Sequence, residues 1–275
     1  MLLQLSQVHS MSIKLIQSRD NPLYKQIRQL ATSPQARKKA GQTLLDGVHL
    51  CQAWLDHREA PSICVVSDTA AAHHEVLVIL NACLERQVNC IQLPDALFAA
   101  LSQVENGVEI LFVVDVPIPP HVESLSECAL LLDQLQDPGN VGSILRSAAA
   151  AGIKKIFCSP STVAAWSPKV LRAGMGAHFI VDIYEHRDLS ALIQAASIPV
   201  IATSSHATQT IYEYDLSKKF AWLFGHEGQG VSDELLALAS VQLVIPQDPA
   251  IESLNVAASA AVCLFEQLRQ TNFAK

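Results

Sequence analysis

The sequence of 275 residues has few aromatic side chains, few charges and no long apolar run. Aromatic residues make up 5% and charged residues 16%, whereas half of the chain is hydrophobic. No apolar stretch approaches the roughly 20 residues that a helix needs to cross a bilayer. The first eleven residues lack a charged segment followed by a long apolar one, so we expect no signal peptide. This composition favours a globular protein with a sizeable core.

The seven cysteines include no Cys-x-x-Cys pair. Their odd number, scattered positions and mostly apolar neighbours favour reduced thiols in a cytoplasmic protein. The pair His73-His74 is not accompanied by cysteines or carboxylates at the spacing of a zinc site, so a solvated loop is the better interpretation. We therefore expect no metal.

The net charge of −7 at first argues against a nucleic-acid partner, but its distribution does not. Residues 12–45 contain seven basic side chains and one acidic one, a net +6, which leaves −13 for the rest. A basic segment on an acidic body is a plausible footprint for a polyanion. The alternative, that Arg37-Lys38-Lys39 is a solvated helix face, is equally compatible with charge alone.

Apolar periodicity predicts two α/β regions separated by Pro117-Ile118-Pro119-Pro120, which can continue neither a helix nor a central strand. We predict a flexible tail over 1–13, an α/β domain over 14–116, a linker over 117–124 and a parallel-sheet domain over 125–275. Residues 12–45 have a polar, helical pattern with breaks before Pro22 and Pro34. In the second region, predicted strands alternate with helices from Ala129 to the long final helix over 256–270.

The sequence from Asp137 to Arg146 follows the apolar run of residues 129–132 and leads into an alanine-rich segment. This order predicts a buried strand, a glycine turn and a helix. The turn carries Asn140, Ser143 and Arg146 at the carboxyl end of a strand, the edge at which open α/β sheets bind ligands.

Two further polar loops follow apolar runs. In residues 225–230 (GHEGQG), three glycines allow backbone amides to approach a ligand, but the spacing is not Gly-x-Gly-x-x-Gly. Glu227 at a strand end is either functional or a carboxylate near the dipole of the helix that starts after Ser232. In residues 245–255, Ser253 or Asn255 is a suitable cap for the final helix. We expect the three loops to form one site.

Residues 129–270 resemble the SpoU (TrmH-like) branch of the SPOUT methyltransferases, which methylate ribose 2′-hydroxyls in RNA with S-adenosylmethionine. The resemblance rests on residues 137–146 (DPGNVGSILR), 224–230 (FGHEGQG), Ile245-Pro246 and 252–256 (ESLNV). The N-terminal part is similar to the family's ribosomal-protein-like substrate-binding domain at residues 18–22, 37–39 and 45–47. Asp46 and His226 stand where the family more often has Glu and Asn.

The resemblance implies a deep trefoil knot in the C-terminal domain, which is an exception to the rule against knots. It also implies a homodimer with cofactor sites near the subunit interface. The residues implied to contact S-adenosylmethionine are Gly225, Ile245, Leu254, Thr203 and Gly230.

The resemblance assigns the catalytic position to Arg146. Because a guanidinium stays protonated, we expect Arg146 to orient the ribose hydroxyl and a phosphate rather than to act as a base. Asn140 is expected to hold Arg146 or the ribose, and Glu227 to orient Arg146 or the substrate. Ser253 and Asn255 are expected to contact the substrate or the cofactor. No metal is required.

We expect the N-terminal domain to bind RNA through contacts between its basic side chains and phosphates. As the substrate, we expect rRNA in preference to tRNA. The RNA-binding candidates are Arg19, Lys25, Arg37, Lys38 and Lys39. Two other classes remain as alternatives. One is a catalytically silent RNA-binding module on the same scaffold, which cofactor binding would exclude. The other is a nicotinamide- or nucleotide-dependent oxidoreductase, which the glycine spacing disfavours.

Overall fold

The computed structural model describes residues 13–102, 107–248, 250–251 and 253–273. The chain divides into two compact units, one that ends at Val116 and one that begins at Pro117. Residues 1–12, which form most of the predicted tail, lie outside the described range. No described helix is long and apolar enough to cross a membrane.

The first unit is a mixed sheet with helices between its strands. Its elements are β1 (Lys14–Leu15), α1 (Pro22–Thr32), α2 (Pro34–Ala40), β2 (Gln42–Asp46), α3 (Val48–His57), β3 (Ile63–Ser67), α4 (His74–Glu85), β4 (Asn89–Leu93), α5 (Asp95–Phe98) and β5 (Ile110–Asp115). The strand order is β1-β4-β3-β5-β2. Strands β1, β4 and β3 are parallel, and β5 is antiparallel to both β3 and β2.

The helical pattern predicted for residues 12–45 is wrong at both of its ends. Lys14–Leu15 pairs with β4, and Gln42–Asp46 pairs with residues 111–115 of β5. The predicted breaks are correct, because Asn21 and Ser33 cap the two helices with their side chains and a proline follows each cap. Tertiary pairing therefore overrides local pattern where a strand is short or lies at the edge of a sheet.

The second unit is a parallel sheet, as predicted. Its elements are β6 (Ala129–Leu132), α6 (Pro138–Ala150), β7 (Lys155–Cys158), α7 (Pro168–Gly174), β8 (Asp182–Tyr184), α8 (Leu189–Gln194), β9 (Val200–Thr203), β10 (Ala221–Phe224), α9 (Asp233–Leu238), β11 (Val241–Leu243) and α10 (Val256–Phe273). The strand order is β11-β9-β10-β6-β7-β8, and all pairings are parallel. The central strands β6 and β10 are fully buried, which explains their continuous apolar sequences.

Residues 117–124 contain no helix or strand, but part of this segment packs against the second unit. Val122 packs against the core of the second unit, and its carbonyl oxygen accepts a hydrogen bond of 2.9 Å from Arg187. The segment predicted as a linker is therefore part of the second unit at this point.

Helices α6 and α7 pack closely because glycines lie at their contact. A Cβ atom on Gly142 would lie 2.4 Å from the Cβ of Ala173 and 2.7 Å from the carbonyl oxygen of Val170. A Cβ on Gly174 would lie 2.5 Å from the ring of His178. The fold thus fixes α6, which carries the first polar loop at its start, firmly against its neighbour.

The His178 ring is fully buried beneath this contact. Its Nε2 lies 2.9 Å from the carbonyl oxygen of Ala165, whereas its Nδ1 has no hydrogen-bond partner. Burial lowers the pKa of His178 to about 4, and the bond to Ala165 only partly opposes that shift. A ring with this lowered pKa stays neutral in the folded protein at pH values at which the unfolded chain already binds a proton.

We predict that acid destabilises the protein through His178. The contribution of the neutral His178 ring to the free energy of unfolding is fully present above the ordinary imidazole pKa of 6.5, and it is lost as the pH falls towards about 4. By about pH 5 the loss from this ring amounts to about 2 kcal/mol. Urea unfolding of wild type and His178→Phe between about pH 7.5 and pH 5 checks this. The variant is expected to start lower by about 1 kcal/mol, since Ala165 loses its donor, but to change less with pH. Equal slopes would contradict the assignment.

Candidate active site

The candidate site lies at the carboxyl edge of the parallel sheet. Strands β6, β10 and β11 end at Leu132, Phe224 and Leu243, and each is followed by one of the three polar loops. The carboxyl ends of parallel strands meet at one edge, so loops more than 100 residues apart in sequence become neighbours.

The Glu227 carboxylate joins the second loop to the first. It accepts hydrogen bonds from the backbone amides of Gln136 (3.1 Å) and Asp137 (3.0 Å) and from Nδ2 of Asn140 (3.1 Å). These donors lie at the start of α6, where unpaired amides and the helix dipole favour a negative charge. Glu227 therefore neutralises the N-terminus of α6, and not that of the helix that follows its own loop.

The pKa of Glu227 reflects two opposing effects. Partial burial raises it, whereas the hydrogen bonds from Asp137, Asn140 and Gln136 lower it, and the net result is a pKa below the ordinary value. The carboxylate thus remains ionised at neutral pH and has no spare proton to donate.

Asn140 extends the connection to the third loop. Its Oδ1 accepts a hydrogen bond of 2.9 Å from Nδ2 of Asn255. Asn255 also caps α10, because its Oδ1 accepts from the amides of Ala257 (2.9 Å) and Ala258 (3.2 Å). Asn255 is therefore the helix cap of this loop, which resolves the choice between Ser253 and Asn255. Side chains from all three loops form one chain of hydrogen bonds.

The second loop is a tight hairpin closed on its own backbone. The Gly230 amide donates to the carbonyl oxygen of His226 (2.8 Å), and Nδ1 of His226 accepts from the amides of Gly228 (3.0 Å) and Gln229 (3.3 Å). A Cβ on Gly225 would lie 2.1 Å from the amide nitrogen of Val231, so only glycine fits there. Buried Asp133, directly after β6, anchors the end of the loop by accepting from the amide of Ser232 (3.1 Å).

A cavity of about 520 Å³ opens between the second and third loops and the segment after β9. Its lining combines backbone and hydroxyl groups with apolar side chains. It includes all five residues predicted to contact the cofactor, Thr203, Gly225, Gly230, Ile245 and Leu254, together with Ser204, Ser205, His206, His226, Glu227, Gly228, Gln229, Val231, Asp233, Leu236, Leu243, Val244, Gln247, Ser253, Val256 and Ser259.

The cavity suits S-adenosylmethionine in size and chemistry. A cavity of several hundred Å³ is typical of sites for ligands of this size, and the hydroxyl, imidazole and backbone groups of this lining offer polar partners to such a ligand. The close approach of Gly225 to Gly230 and Val231 leaves backbone groups accessible where side chains would block them. The carboxylates of Glu227 and Asp233 provide a negative surround for a cationic sulfonium.

Arg146 lies apart from this network. It is exposed on α6, six residues or about 9 Å along the helix from Asn140, and it is not among the residues that line the cavity. It forms no hydrogen bond or ion pair with any described residue, and therefore none with Asn140 or Glu227. The expectation that Asn140 or Glu227 holds Arg146 is therefore corrected: both are committed to binding the loops to one another.

The remaining predicted residues are divided between the site and its surroundings. Ser253 lines the cavity, whereas Glu252 of the third motif lies outside the described residues. The sequence analysis missed Gln136, His206 and Asp233. The signal that was available for Gln136 was its place just before the helix cap Asp137. No group of three or more His, Cys, Asp or Glu side chains suited to a metal occurs within the described parts of the chain.

The predicted RNA-binding residues of the first unit differ in whether their side chains already have a partner within the protein. Lys25 is paired with Asp20 at 2.8 Å, and Arg37 donates to the carbonyl oxygen of Leu30 at 2.7 Å. The bond to Leu30 makes Arg37 in part a structural residue of the α1–α2 turn. Partial burial lowers the pKa of its guanidinium. Lys38 and Lys39 are exposed in the last turn of α2, and Arg19 is exposed before α1.

Comparison with known proteins supports the resemblance. A sequence model described as the SpoU rRNA Methylase family matches residues 127–265. An uncharacterized tRNA/rRNA methyltransferase of Synechocystis is 35% identical, with 94% of each chain covered. The 23S rRNA (guanosine(2553)-2′-O)-methyltransferase RlmP of Bacillus subtilis is 30% identical over 92% of this chain and 98% of the relative.

Solved structures agree with this result over nearly the whole chain. A crystal structure of an AdoMet-bound rRNA methyltransferase from Sinorhizobium meliloti superposes with a TM-score of 0.82 at 25% identity and covers 95% of this chain and 99% of that one. An RNA 2′-O ribose methyltransferase gives a TM-score of 0.78 at 26% identity, with 93% and 98% covered. The match spans both the sheet and the three loops, and the chain belongs to the SpoU rRNA methylase family.

Proposed function

We propose that this chain is an enzyme that transfers the methyl group of S-adenosylmethionine to a ribose 2′-hydroxyl of RNA. The observation that carries the proposal is the hydrogen-bonded chain Glu227–Asn140–Asn255, which joins three loops beside a cavity of about 520 Å³. The relatives of matching length are RNA methyltransferases. The nicotinamide alternative is not supported by either observation.

When bound, S-adenosylmethionine supplies an electrophilic methyl group on a sulfonium. The task of the protein is then to place the ribose oxygen in line with that methyl group, at about 3–3.5 Å. The hairpin 225–230 and the segment 253–255 position the cofactor side of the site. The network of Glu227, Asn140 and Asn255 fixes these loops, so that positional freedom is removed before the substrate arrives.

Arg146 acts on the RNA side of the site. Its guanidinium is exposed and has no partner among the described residues, which leaves all its donors available to a phosphate and a ribose oxygen. Since arginine does not give up its proton, the hydroxyl proton leaves to a phosphate oxygen or to water. Glu227 is not the base, because its ionised carboxylate is occupied by three donors.

We infer that rRNA is the substrate and that the first unit binds it, with residues 14–116 as the RNA-binding domain and 125–275 as the methyltransferase domain. Arg19, Lys38 and Lys39 are the exposed cations that support this assignment. Lys25 and Arg37 contribute less, because both already have partners. If transfer RNA were the substrate, the same basic surface would serve, and mapping of the product distinguishes the two.

We predict that Lys38→Ala/Lys39→Ala weakens RNA binding about tenfold at moderate salt. Each lost phosphate contact also lowers the slope of log Kd against log salt by about 1. Fluorescence anisotropy with a large-subunit rRNA fragment measures both quantities. Lys218→Ala/Lys219→Ala, which removes the same charge from an exposed site in the second unit, is the matched control. Equal losses in the two double variants would show a general charge effect instead of a binding surface.

We also infer a homodimer, a trefoil knot in the second unit and a cytoplasmic location. Phe265 of α10 is 48% exposed on a helix that packs against α6, which makes this face a suitable subunit contact. The strand order supports the proposal of a knot, because β10 lies between β6 and β9, which both precede it in the chain. All seven cysteines are free, as in a reducing compartment. The molar mass in solution tests the dimer.

Two measurements test the proposed activity. Calorimetry with S-adenosylmethionine is expected to show binding, and nicotinamide cofactors are expected to show none. Mapping of 2′-O-methyl groups in total RNA from cells with and without the gene is expected to reveal one lost rRNA site. Cofactor binding without any lost site would leave a binding module, and absence of cofactor binding would refute the enzyme altogether.

A further inference from the structure

His226 makes a specific use of one ring nitrogen within the cofactor hairpin. Its Nδ1 accepts hydrogen bonds from the amides of Gly228 and Gln229, at 3.0 and 3.3 Å. A ring nitrogen accepts only with a free lone pair, so the ring must be neutral, with its hydrogen on Nε2. Gly228 and Gln229 both line the cavity.

We propose that His226 is a positioning residue whose neutral ring holds the hairpin in its cofactor-binding shape, and that protonation of the ring in mild acid releases the hairpin. This proposal rests on the proposed function, since it concerns the same cavity. A second proton would sit on Nδ1 and face the two amide hydrogens, so an attraction would become a repulsion. Within the hairpin the backbone bond between Gly230 and His226 would remain, and Glu227 would still join the loop to the start of α6, so the release is confined to Gly228 and Gln229.

Other titratable groups around the cavity do not account for the same effect. Glu227 has a lowered pKa and stays ionised through the relevant range, because the amides at the start of α6 hold it. The second carboxylate in the lining belongs to Asp233, at the start of α9 and outside the hairpin. His206, in the segment after β9, is the other imidazole in the lining, and it donates or accepts no side-chain hydrogen bond within the hairpin. His206 is therefore the group that a control must separate from His226.

An asparagine at position 226 is the appropriate conservative replacement. Its side-chain oxygen accepts hydrogen bonds from the amides two or three residues along the chain, as the imidazole Nδ1 does here. Unlike imidazole, the amide group does not titrate. His226→Asn should therefore preserve the hairpin and remove its response to pH.

The expected size follows from the population of neutral rings. If only the form with a free Nδ1 lone pair binds, the apparent Kd for S-adenosylmethionine rises as that form is lost, about tenfold when nine tenths of the rings carry a second proton. A ring that merely filled space would give no such dependence.

The test measures S-adenosylmethionine binding to the full chain by calorimetry at about pH 7.5 and about pH 5.5, in wild type, His226→Asn and His206→Asn. Circular dichroism verifies that each protein remains folded. The wild type and His206→Asn are expected to lose about tenfold in affinity on acidification, and His226→Asn to change less than about twofold. In wild type, the amide resonances of Gly228 and Gln229 are expected to shift with the protonation of the ring.

Each outcome decides the matter. A wild-type affinity that does not change with pH, or a His226→Asn variant as pH-sensitive as wild type, overturns the positioning role while the proposed activity stands. If His226→Asn does not fold, amide resonances of Gly228 and Gln229 that ignore the ring's protonation overturn it equally. Absence of binding at the higher pH removes the proposed function, and the role of His226 falls with it.

Discussion

Replacing Arg146 with lysine should reduce the methyl-transfer rate at least about 100-fold while cofactor affinity stays close to wild type. Lysine keeps the charge but loses the planar fork that can bind a phosphate oxygen and a ribose oxygen together. Because Arg146 lies outside the lining of the cavity, its side chain has no part in holding S-adenosylmethionine. The loss should therefore appear in kcat, with little change in the Kd of the cofactor.

The matched control for this substitution is Arg269→Lys. Arg269 forms a two-pronged ion pair with Glu266 at 2.8 Å, within α10 and away from the cavity. A lysine there retains a salt bridge, so turnover should remain within about twofold of wild type. Single-turnover assays with saturating RNA and cofactor separate the chemical step from binding. Near-normal turnover of Arg146→Lys would remove arginine's role in orienting the ribose.

Replacing Gly225 with alanine should abolish cofactor binding and cost about 3 kcal/mol or more of stability. The added Cβ would lie 2.1 Å from the nitrogen of Val231 and 2.2 Å from the carbonyl carbon and oxygen of Gly230. These are backbone atoms, which cannot rotate away, so the end of β10 or the hairpin must shift. Because Gly225 is buried and lines the cavity, either shift deforms the cofactor site.

Gly228→Ala tests the same substitution within the same hairpin. A Cβ there would have its nearest neighbours at 3.9 Å, on the ring of His226, and the backbone there needs no left-handed conformation. Its stability should stay within about 0.5 kcal/mol of wild type. Thermal unfolding with and without S-adenosylmethionine compares the two variants. A Gly225→Ala protein that is stabilised by the cofactor as much as wild type would contradict the steric argument.

The sequence predicted the second unit better than the first, for a physical reason. Buried parallel strands such as β6 and β10 are continuous apolar runs between turns, and their type is evident locally. In contrast, β1 has two residues, one of them lysine, and it is a strand only because β4 pairs with it. Strand β8 is also short, with three residues from Asp182, and it follows a 3₁₀ turn over residues 177–179.

The candidate site shows a similar division. Loop positions were predictable, because apolar strands end where polar residues begin. The partners of each side chain were not, since Asn140 is separated from Glu227 by 87 residues and from Asn255 by 115. Such contacts depend on the register of strands and on helix direction, which local pattern does not encode. For the same reason, the sequence did not reveal that Arg146 lies outside this network.

The order in which the cavity wall is synthesised also matters. Thr203, Gly225 and Leu254 line one cavity, but the last is made about fifty residues after the first. A chain still emerging from the ribosome therefore has no complete cavity until the residues beyond β11 have left the exit tunnel. The cofactor cannot guide the early steps of folding, and it can stabilise only a nearly finished molecule. Because its defining contacts are distant in sequence, we expect this unit to acquire its native structure slowly.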